Sequence, residues 1–511
     1  MGMSGVVGDQ VKTRGYSKHM AYKPEEIMAQ ILNEPHLNVF DVFAILFLYC
    51  DPRFNAILDD IQGEYPRIER IADQLANSVL PRHNLALDEL DAGARKMIVS
   101  ALEGLSNERF FAPKCFSLVR AIDIAYAELV LNHIEQFHRF SAIPMHLNLN
   151  HELGLVFLKP ISSLVPPIKD DQVTYRSGTE KETNIRDYLD NFLCLKVPEG
   201  YELDFQSLDF SIWQCFPKDP SALKIALIPL VDTTDQFIFD ISGTDPKGNN
   251  LYRVLGLKDV VNVTDLALGG LKTANEEGAA VVIFPEFCIP PEIRDAIATG
   301  LRSRRFPSVK MVIAGSFHEK IGDRWHNIAH VLDAEGNEIW QQRKYEPNTI
   351  MKYQLKNYPS LATYASSNLK ENIATSPRKI FVRETPIGRM VVVICSDLLL
   401  EDSWHRKLFK DIRVNLIIVP AMTAVLEPDF INAAEEFAEH CQALTIVSNA
   451  CCLPRETKSL RGKDIKISMA YYPPNPSKWW RCCNTMPGSC SYYNCLRDFI
   501  LSLAGHPSGF E

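Results

Sequence analysis

Three apolar runs in the second half of the chain end in a side chain that can do chemistry: "VVIFPE" ends at Glu286, "IWQQRK" at Lys344 and "VVVIC" at Cys395. A thiol needs a neighbour to become a thiolate near neutral pH, and a carboxylate within hydrogen-bond reach can take its proton. An attacked carbonyl or nitrile develops negative charge, which a fixed ammonium and a backbone N–H stabilise. Taken singly, each residue has a plainer reading. A cysteine after four apolar residues is usually a packed thiol, a glutamate beside proline usually opens a turn or a helix, and a lysine in a hairpin is usually solvated. Together they supply nucleophile, acid/base and cation.

The elements around them can bring the three together. "ALKIALIPLV", "AAVVIFPEF" and "VKMVIAGSF" read as short strands, with "VVNVTDLALGGLKTANEEG" as a helix between the first two. "NIAHVLDAEGNEIWQQRKY" and "RKIFVRETPIGRMVVVIC" read as hairpins, and "VNLIIVPAM", "FINAAEEFAEHCQA" and "LTIVSNACC" as strand, helix and strand. The fold class expected is α/β with a mixed sheet, and strand ends in such folds are where sites collect.

The first half has a different texture. "KPEEIMAQILNE", "DPRFNAILDDIQ", "RIERIADQLANSVL" and "FSLVRAIDIAYAELVLNHIEQFHRF" carry apolar residues at steps of three and four, predicting a mainly helical domain over 1–205. Its end, including "LKPISSLVPPIKDDQVTYRSGTEKETN", reads as a loop-rich linker, and the α/β domain is expected over 220–500. "VFDVFAILFLYC" is too short to cross a bilayer and is interrupted by Asp41, so a buried helix is expected. The N-terminus has no apolar secretory core and lacks the myristoylation pattern, so an intracellular, cytoplasmic protein is expected.

A net charge of −9 over 511 residues argues against a general nucleic-acid binder. The 13 cysteines are expected to be reduced. The late cluster, 451–452, 482–483, 490 and 495, lacks the paired spacing of a zinc site, so buried thiols are expected and no metal. No phosphate-binding glycine loop is present. His405, ten residues after Cys395, has no surrounding motif for a cysteine–histidine pair.

The order Glu, Lys, Cys within "FPEF", "RKYEP" and "GRMVVVICSDL" resembles the nitrilase (carbon–nitrogen hydrolase) superfamily, from about Leu223 to the mid-490s. "KIALIPL", "NIAHVLDAEGNEI", "IIVPAMT" and "EHCQALTIVSN" resemble further family segments. The resemblance implies a four-layer α-β-β-α sandwich, with Cys395 as nucleophile, Glu286 as general base and later acid, and Lys344 with the Ser396 backbone N–H at the oxyanion. It further implies hydrolysis of a non-peptide amide, carbamoyl or nitrile substrate through a thioester, with no cofactor. A homo-oligomer is implied by the resemblance too, with "EDSWHRKLFKDI" and "INAAEEFAEHCQ" as candidate surfaces; a protein partner would be met through the N-terminal domain.

The chain also departs from the family pattern. Met351 falls near where many members have a second glutamate, and Glu346 is the nearest candidate second carboxylate. The long Lys344–Cys395 interval suggests a remodelled rim with Tyr353, Tyr358 and Tyr364 as wall residues. His326 and Asn327 are expected to serve a structural turn, and Asp397 to hold backbone. Two further readings compete with the hydrolase: a regulatory or scaffold protein with a nitrilase-like shell, and acyl transfer to an amine.

Overall fold

The computed structural model describes residues 22–61, 65–78, 80, 88–105, 107–127, 130, 146–160, 185–216, 223–358, 360–375, 378–400, 403–457, 466–472, 475–481 and 500–502. Of the late cysteine cluster, Cys482, Cys483, Cys490 and Cys495 lie outside them; the nine described cysteines are all free thiols. Contacts divide the chain into two compact units. One comprises the described residues within Met1–Tyr126, Asn148–Gly154 and Glu182–Leu189, and the other takes the remainder.

In the first unit, helices Val39–Cys50, Phe54–Ile61 and Tyr65–Ser78 all pack on helix Glu108–Ala125. Tyr49 meets Phe111 and Phe54 meets Phe116 edge-to-face, with ring centroids 5.3 and 5.2 Å apart. The "VFDVFAILFLYC" run is a buried helix, and Asp41 inside it has a job. Its Oδ2 accepts from the Asn38 N–H while Asn38 Oδ1 accepts from the Phe40 and Asp41 N–H groups, closing the helix start. Asp41 Oδ1 also accepts from the Asn150 N–H at 2.8 Å. No described helix is long and apolar enough to cross a membrane.

The second unit is mixed α/β with several sheets. Its six-stranded sheet runs β10 (Glu338–Arg343), β9 (Arg324–Asp333), β8 (Met311–Ile321), β7 (Val281–Ile283), β4 (Lys224–Leu227), β19 (Ile500–Ser502). The seven-stranded sheet runs β18 (Asn475–Arg481), β17 (Lys466–Tyr472), β16 (Leu444–Asn449), β15 (Leu416–Ala421), β14 (Gly388–Val392), β13 (Arg378–Thr385), β3 (Tyr201–Ser207). Helices Val260–Glu276 and Pro291–Arg302 bury apolar residues in one core with the first sheet, and helix Asp429–Cys441 packs on β16 and β17 of the second. The two sheets are hydrogen-bonded to each other where Glu286 N–H donates to Ala421 O and Ser448 Oγ to Ile283 O, at 3.3 and 3.1 Å.

The strands and hairpins read from "KIALIPL" onward are present. Two features were not foreseen. A four-stranded sheet, β11 (Thr349–Ile350), β12 (Leu369–Glu371), β6 (Asn250–Leu257), β5 (Phe237–Thr244), joins a hairpin to pieces of the long Lys344–Cys395 interval. The segment expected as the end of the helical domain also contributes strands to the second unit. β3 pairs in parallel with β13 over seven residues, from Tyr201↔Arg378 to Ser207↔Glu384. β1 (Leu155–Leu158) and β2 (Phe192–Leu195) form a two-stranded ribbon tied in by Arg389. That guanidinium is fully buried, donates to Glu384 Oε2, Ile412 O and Leu158 O at 2.8, 2.5 and 2.6 Å, and lies 4.7 Å over the Phe205 ring.

Glu384→Ala would leave the Arg389 guanidinium buried without its counter-ion. The expected loss in urea denaturation is about 3–5 kcal/mol, and unchanged stability would contradict the arrangement. A second expectation concerns His330, whose ring bridges Glu319 and Glu338. Burial works against its charge, but the two carboxylates outweigh it and raise its pKa. This stabilisation is complete below about pH 6.5 and is lost as pH rises through the higher folded-state pKa. The wild-type melting-temperature advantage over His330→Gln should therefore shrink between about pH 6 and pH 9.

Candidate active site

Glu286, Lys344 and Cys395, far apart in the chain, meet in one buried cluster. Cys395 follows β14, and its φ of +49° turns the chain sharply into a short 3-10 segment, Cys395–Leu399. A non-glycine residue held in this region is strained backbone, which surrounding contacts must hold in place. Asp397 supplies the main one. Its Oδ2 and Oδ1 accept from the Tyr345 and Glu346 N–H groups at 2.7 and 3.1 Å, clamping the cysteine turn to the loop just after Lys344. Burial pushes its carboxyl up to about 8, against the pull of Lys344 and of those two donors. The Ser396 N–H lies before the first turn bond, Asp397 N–H to Ile394 O.

Glu286 stands just past β7. Phe287 after it has φ +61° and donates its N–H to Ser316 O at 2.6 Å. Gly315, in the β8 bulge, also has positive φ, and a Cβ there would sit 2.1 Å from Pro285 O, so only glycine permits this approach.

Hydrogen bonds separate the roles of the buried groups. Glu286 Oε1 accepts from Lys344 Nζ and Asn327 Nδ2, both at 2.9 Å, and Oε2 accepts from the Met422 N–H at 3.1 Å. A carboxylate has about four lone-pair sites, so Oε2 keeps one for a proton, and the Cys395 thiol lies against this carboxylate. Burial, then Glu286, push the thiol up, while Lys344 pulls it down. The sulfur also contacts Met422 O at 4.0 Å.

Lys344 is 2% exposed and stands between two carboxylates, Glu286 Oε1 at 2.9 Å and Glu371 Oε2 at 3.0 Å. Burial disfavours its charge, but the carboxylates outweigh burial and hold its pKa well above the ordinary value. Two of its three N–H groups are thus engaged by described residues, leaving one to donate elsewhere.

Glu371 was missed by sequence reasoning. It comes from β12, 27 residues after Lys344, within an interval read as rim. Burial opposes its charge, but Lys344, the His318 hydrogen bond and the Asn348 N–H together outweigh burial, so its carboxyl is held well below the usual range. Glu346, the candidate second carboxylate, is a correction: its side chain is paired with Arg378 and partly exposed, because the loop turns it outward while its N–H points to Asp397. Asn327 is a second correction. It lies within β9 rather than in a turn, and its Nδ2 bridges Glu286 Oε1 and Glu371 Oε1 at 2.9 and 2.8 Å. His326 beside it faces the other way, its Nδ1 on Ala374 O at 3.0 Å.

The other candidates sort by burial. Tyr353 is 65% exposed, Tyr364 partly so, and Tyr358 is buried in the hydrophobic core, its hydroxyl pushed up to about 12 by burial. His405 Nε2 bonds Asp397 O at 2.8 Å and Ser403 Oγ, and burial lowers it to about 4; it partners the turn's backbone rather than the thiol. The surface candidates "EDSWHRKLFKDI" and "INAAEEFAEHCQ" are joined to each other by Arg406 and Lys410 on Glu436.

No protein family's sequence profile matches the chain, and no curated protein does. Among solved structures, an amidase from Nesterenkonia sp. is similar at 14% identity over 50% of this chain and 84% of its own, with a TM-score of 0.31. A double mutant of that amidase in complex with acrylamide is similar at 13% identity, covering 55% of this chain and 95% of its own, TM-score 0.33. A further mutant, described as belonging to the nitrilase superfamily, gives 13%, 50% and 85%, TM-score 0.32.

Asp397→Asn would keep one acceptor and set an NH₂ against the other backbone donor, leaving it unpaired in a buried place. The expected cost is about 1–3 kcal/mol in urea denaturation. An Asn variant as stable as wild type would show that Asp397 does not clamp the two loops.

Proposed function

We propose that the chain is a thiol hydrolase cleaving a non-peptide carbon–nitrogen bond, with Cys395 as nucleophile, Glu286 as base and acid, and Lys344 as the cation at the tetrahedral intermediate. The observation that carries this is the convergence of the three groups with one proton-accepting site on Glu286 and one lysine N–H still uncommitted. A packed core thiol has no use for a buried ammonium flanked by two carboxylates. The second unit is read as a nitrilase-like four-layer α-β-β-α sandwich, consistent with helices against both sheets.

The geometry supports each step in turn. Glu286 Oε2 takes the thiol proton as sulfur attacks the carbon of an amide, carbamoyl or nitrile group. The oxyanion formed from a carbonyl meets the third N–H of Lys344 and the Ser396 N–H. For an amide or carbamoyl carbon, Glu286 returns the proton to the departing nitrogen, then takes one from the water that opens the thioester. A nitrile carbon first gives a thioimidate, which takes up one further water before its nitrogen departs as ammonia. No step requires a metal or organic cofactor. Glu371, with all its acceptor sites filled, is a counter-charge rather than a second base.

A regulatory or scaffold protein is the second reading. Two features favour it, the missing second glutamate and the large N-terminal half that the resemblance does not cover. Glu371 beside Lys344 answers the first and leaves the second standing. Self-association, a cytoplasmic location and a partner for the N-terminal unit remain parts of the proposal drawn from family resemblance.

Intact-protein mass spectrometry with small amides, carbamoyl compounds and nitriles tests this. An acyl adduct is expected on wild type and not on Cys395→Ala. Lys344→Ala should slow adduct formation by about 10²–10³ through loss of the oxyanion donor. An inert Cys395 beside labelled surface thiols would sink the hydrolase reading.

A further inference from the structure

His318 is not among the groups that attack, protonate or stabilise, yet it is fixed from every side. It lies in β8 with no side-chain exposure. Its Nδ1 accepts from the Val254 N–H at 2.8 Å, so that nitrogen carries no proton. Its Nε2 must therefore hold the hydrogen, and it donates this to Glu371 Oε1, also at 2.8 Å. A charged imidazolium would turn an N–H against the N–H of Val254, so the ring is neutral. The Phe287 and Tyr252 rings flank it, with centroids 4.8 and 6.3 Å away.

The consequence falls on Glu371. Oε1 accepts from His318 and Asn327, both at 2.8 Å; Oε2 takes the Asn348 N–H at 2.9 Å and the Lys344 ammonium at 3.0 Å. Four donors fill four acceptor sites. The carboxylate can neither swing away from Lys344 nor readily accept a proton.

We propose that His318 is a positioning residue of this site, locking Glu371 as an anion aimed at Lys344 so that the lysine stays charged with one N–H free for the reacting carbonyl. This rests on the reading of Cys395 as nucleophile. The charged and titratable groups around Glu371 are Lys344 and His318 in direct contact, Glu286 across Asn327, and Tyr252 and Asp397 within its field. Without the His318 donor, Glu371 loses one of the two donors that aim Oε1, and its carboxylate is free to rotate away from Lys344. Lys344 then leans on Glu286 alone, and Glu286 becomes a poorer acceptor for the thiol proton.

The test is the rate of Cys395 alkylation by iodoacetamide in the full chain, followed by peptide mass spectrometry from about pH 5 to pH 9. His318→Phe keeps a ring and removes both nitrogens; its acidic limb should move up by about one pH unit, a rate about tenfold lower on that limb. His318→Gln, which can return an N–H toward Glu371, should move the limb back. A limb unmoved in His318→Phe, or displaced equally in both variants, overturns the proposal, since a merely structural loss lowers amplitude without shifting pH dependence. Should His318→Phe not fold, ¹⁵N NMR of the wild-type imidazoles, with His318→Gln assigning the signal, decides it: a neutral Nε2–H form supports the role, and a cationic or Nδ1–H form overturns it. A wild-type Cys395 that iodoacetamide does not alkylate at any pH would instead overturn the hydrolase reading, and this role with it; a reactive Cys395 with an unmoved limb overturns the positioning role alone.

Discussion

A buried ammonium is the constraint around which this site is organised. Removing Lys344 from water costs several kcal/mol unless opposite charge replaces the lost hydration. Glu286, just past β7, and Glu371, in β12, supply it, and Asn327 ties their Oε1 atoms together. Each charge in the cluster is therefore tolerable only because the others are present. The same dependence separates two chemically identical carboxylates. Glu286 keeps an acceptor site beside the thiol, and Glu371 does not.

Holding such a cluster takes backbone that ordinary strands do not provide. Cys395 and Phe287 sit in the left-handed region, and Gly315 lets Pro285 approach where any side chain would collide. These local costs are offset by contacts that span elements. Asp397 joins the turn after β14 to the loop after β10, and Met422, just past β15, bonds Glu286 with its N–H and meets the Cys395 sulfur with its carbonyl. The parallel pairing of β14 with β15 sets that approach. Fold and site are one hydrogen-bonded object here, so a change in either loop is felt at the thiol.

The four-stranded sheet extends this logic. β6 and β12 pair in parallel with Tyr252 opposite Glu371, placing phenol and carboxylate on one face. Burial and the Glu371 charge push the Tyr252 hydroxyl up, with Glu286 and Cys395 adding and Lys344 opposing, so it stays a neutral phenol within the field of the cluster. The long interval before Cys395 thus brings a working carboxylate as well as surface loop.

The sequence by itself determined the parts whose signal is local. Apolar runs ending in Glu286, Lys344 and Cys395, the turns of two hairpins and the helical periodicity of about 22–140 all depend on neighbouring residues. Among the described residues the elements form where those patterns lie; 131–140 fall outside them. Tertiary structure alone decided the partners. Glu371 sits in a three-residue strand whose polar sequence, "LKE", carries no periodicity, and it reaches Lys344 only through pairing with β6. Glu346, much nearer in sequence, is turned outward to Arg378. β3 likewise reads as linker until β13 offers it a parallel edge. The physical reason is common to all three: a buried charge or an edge strand is stabilised by whatever the fold brings alongside it, and that neighbour is distant in the chain.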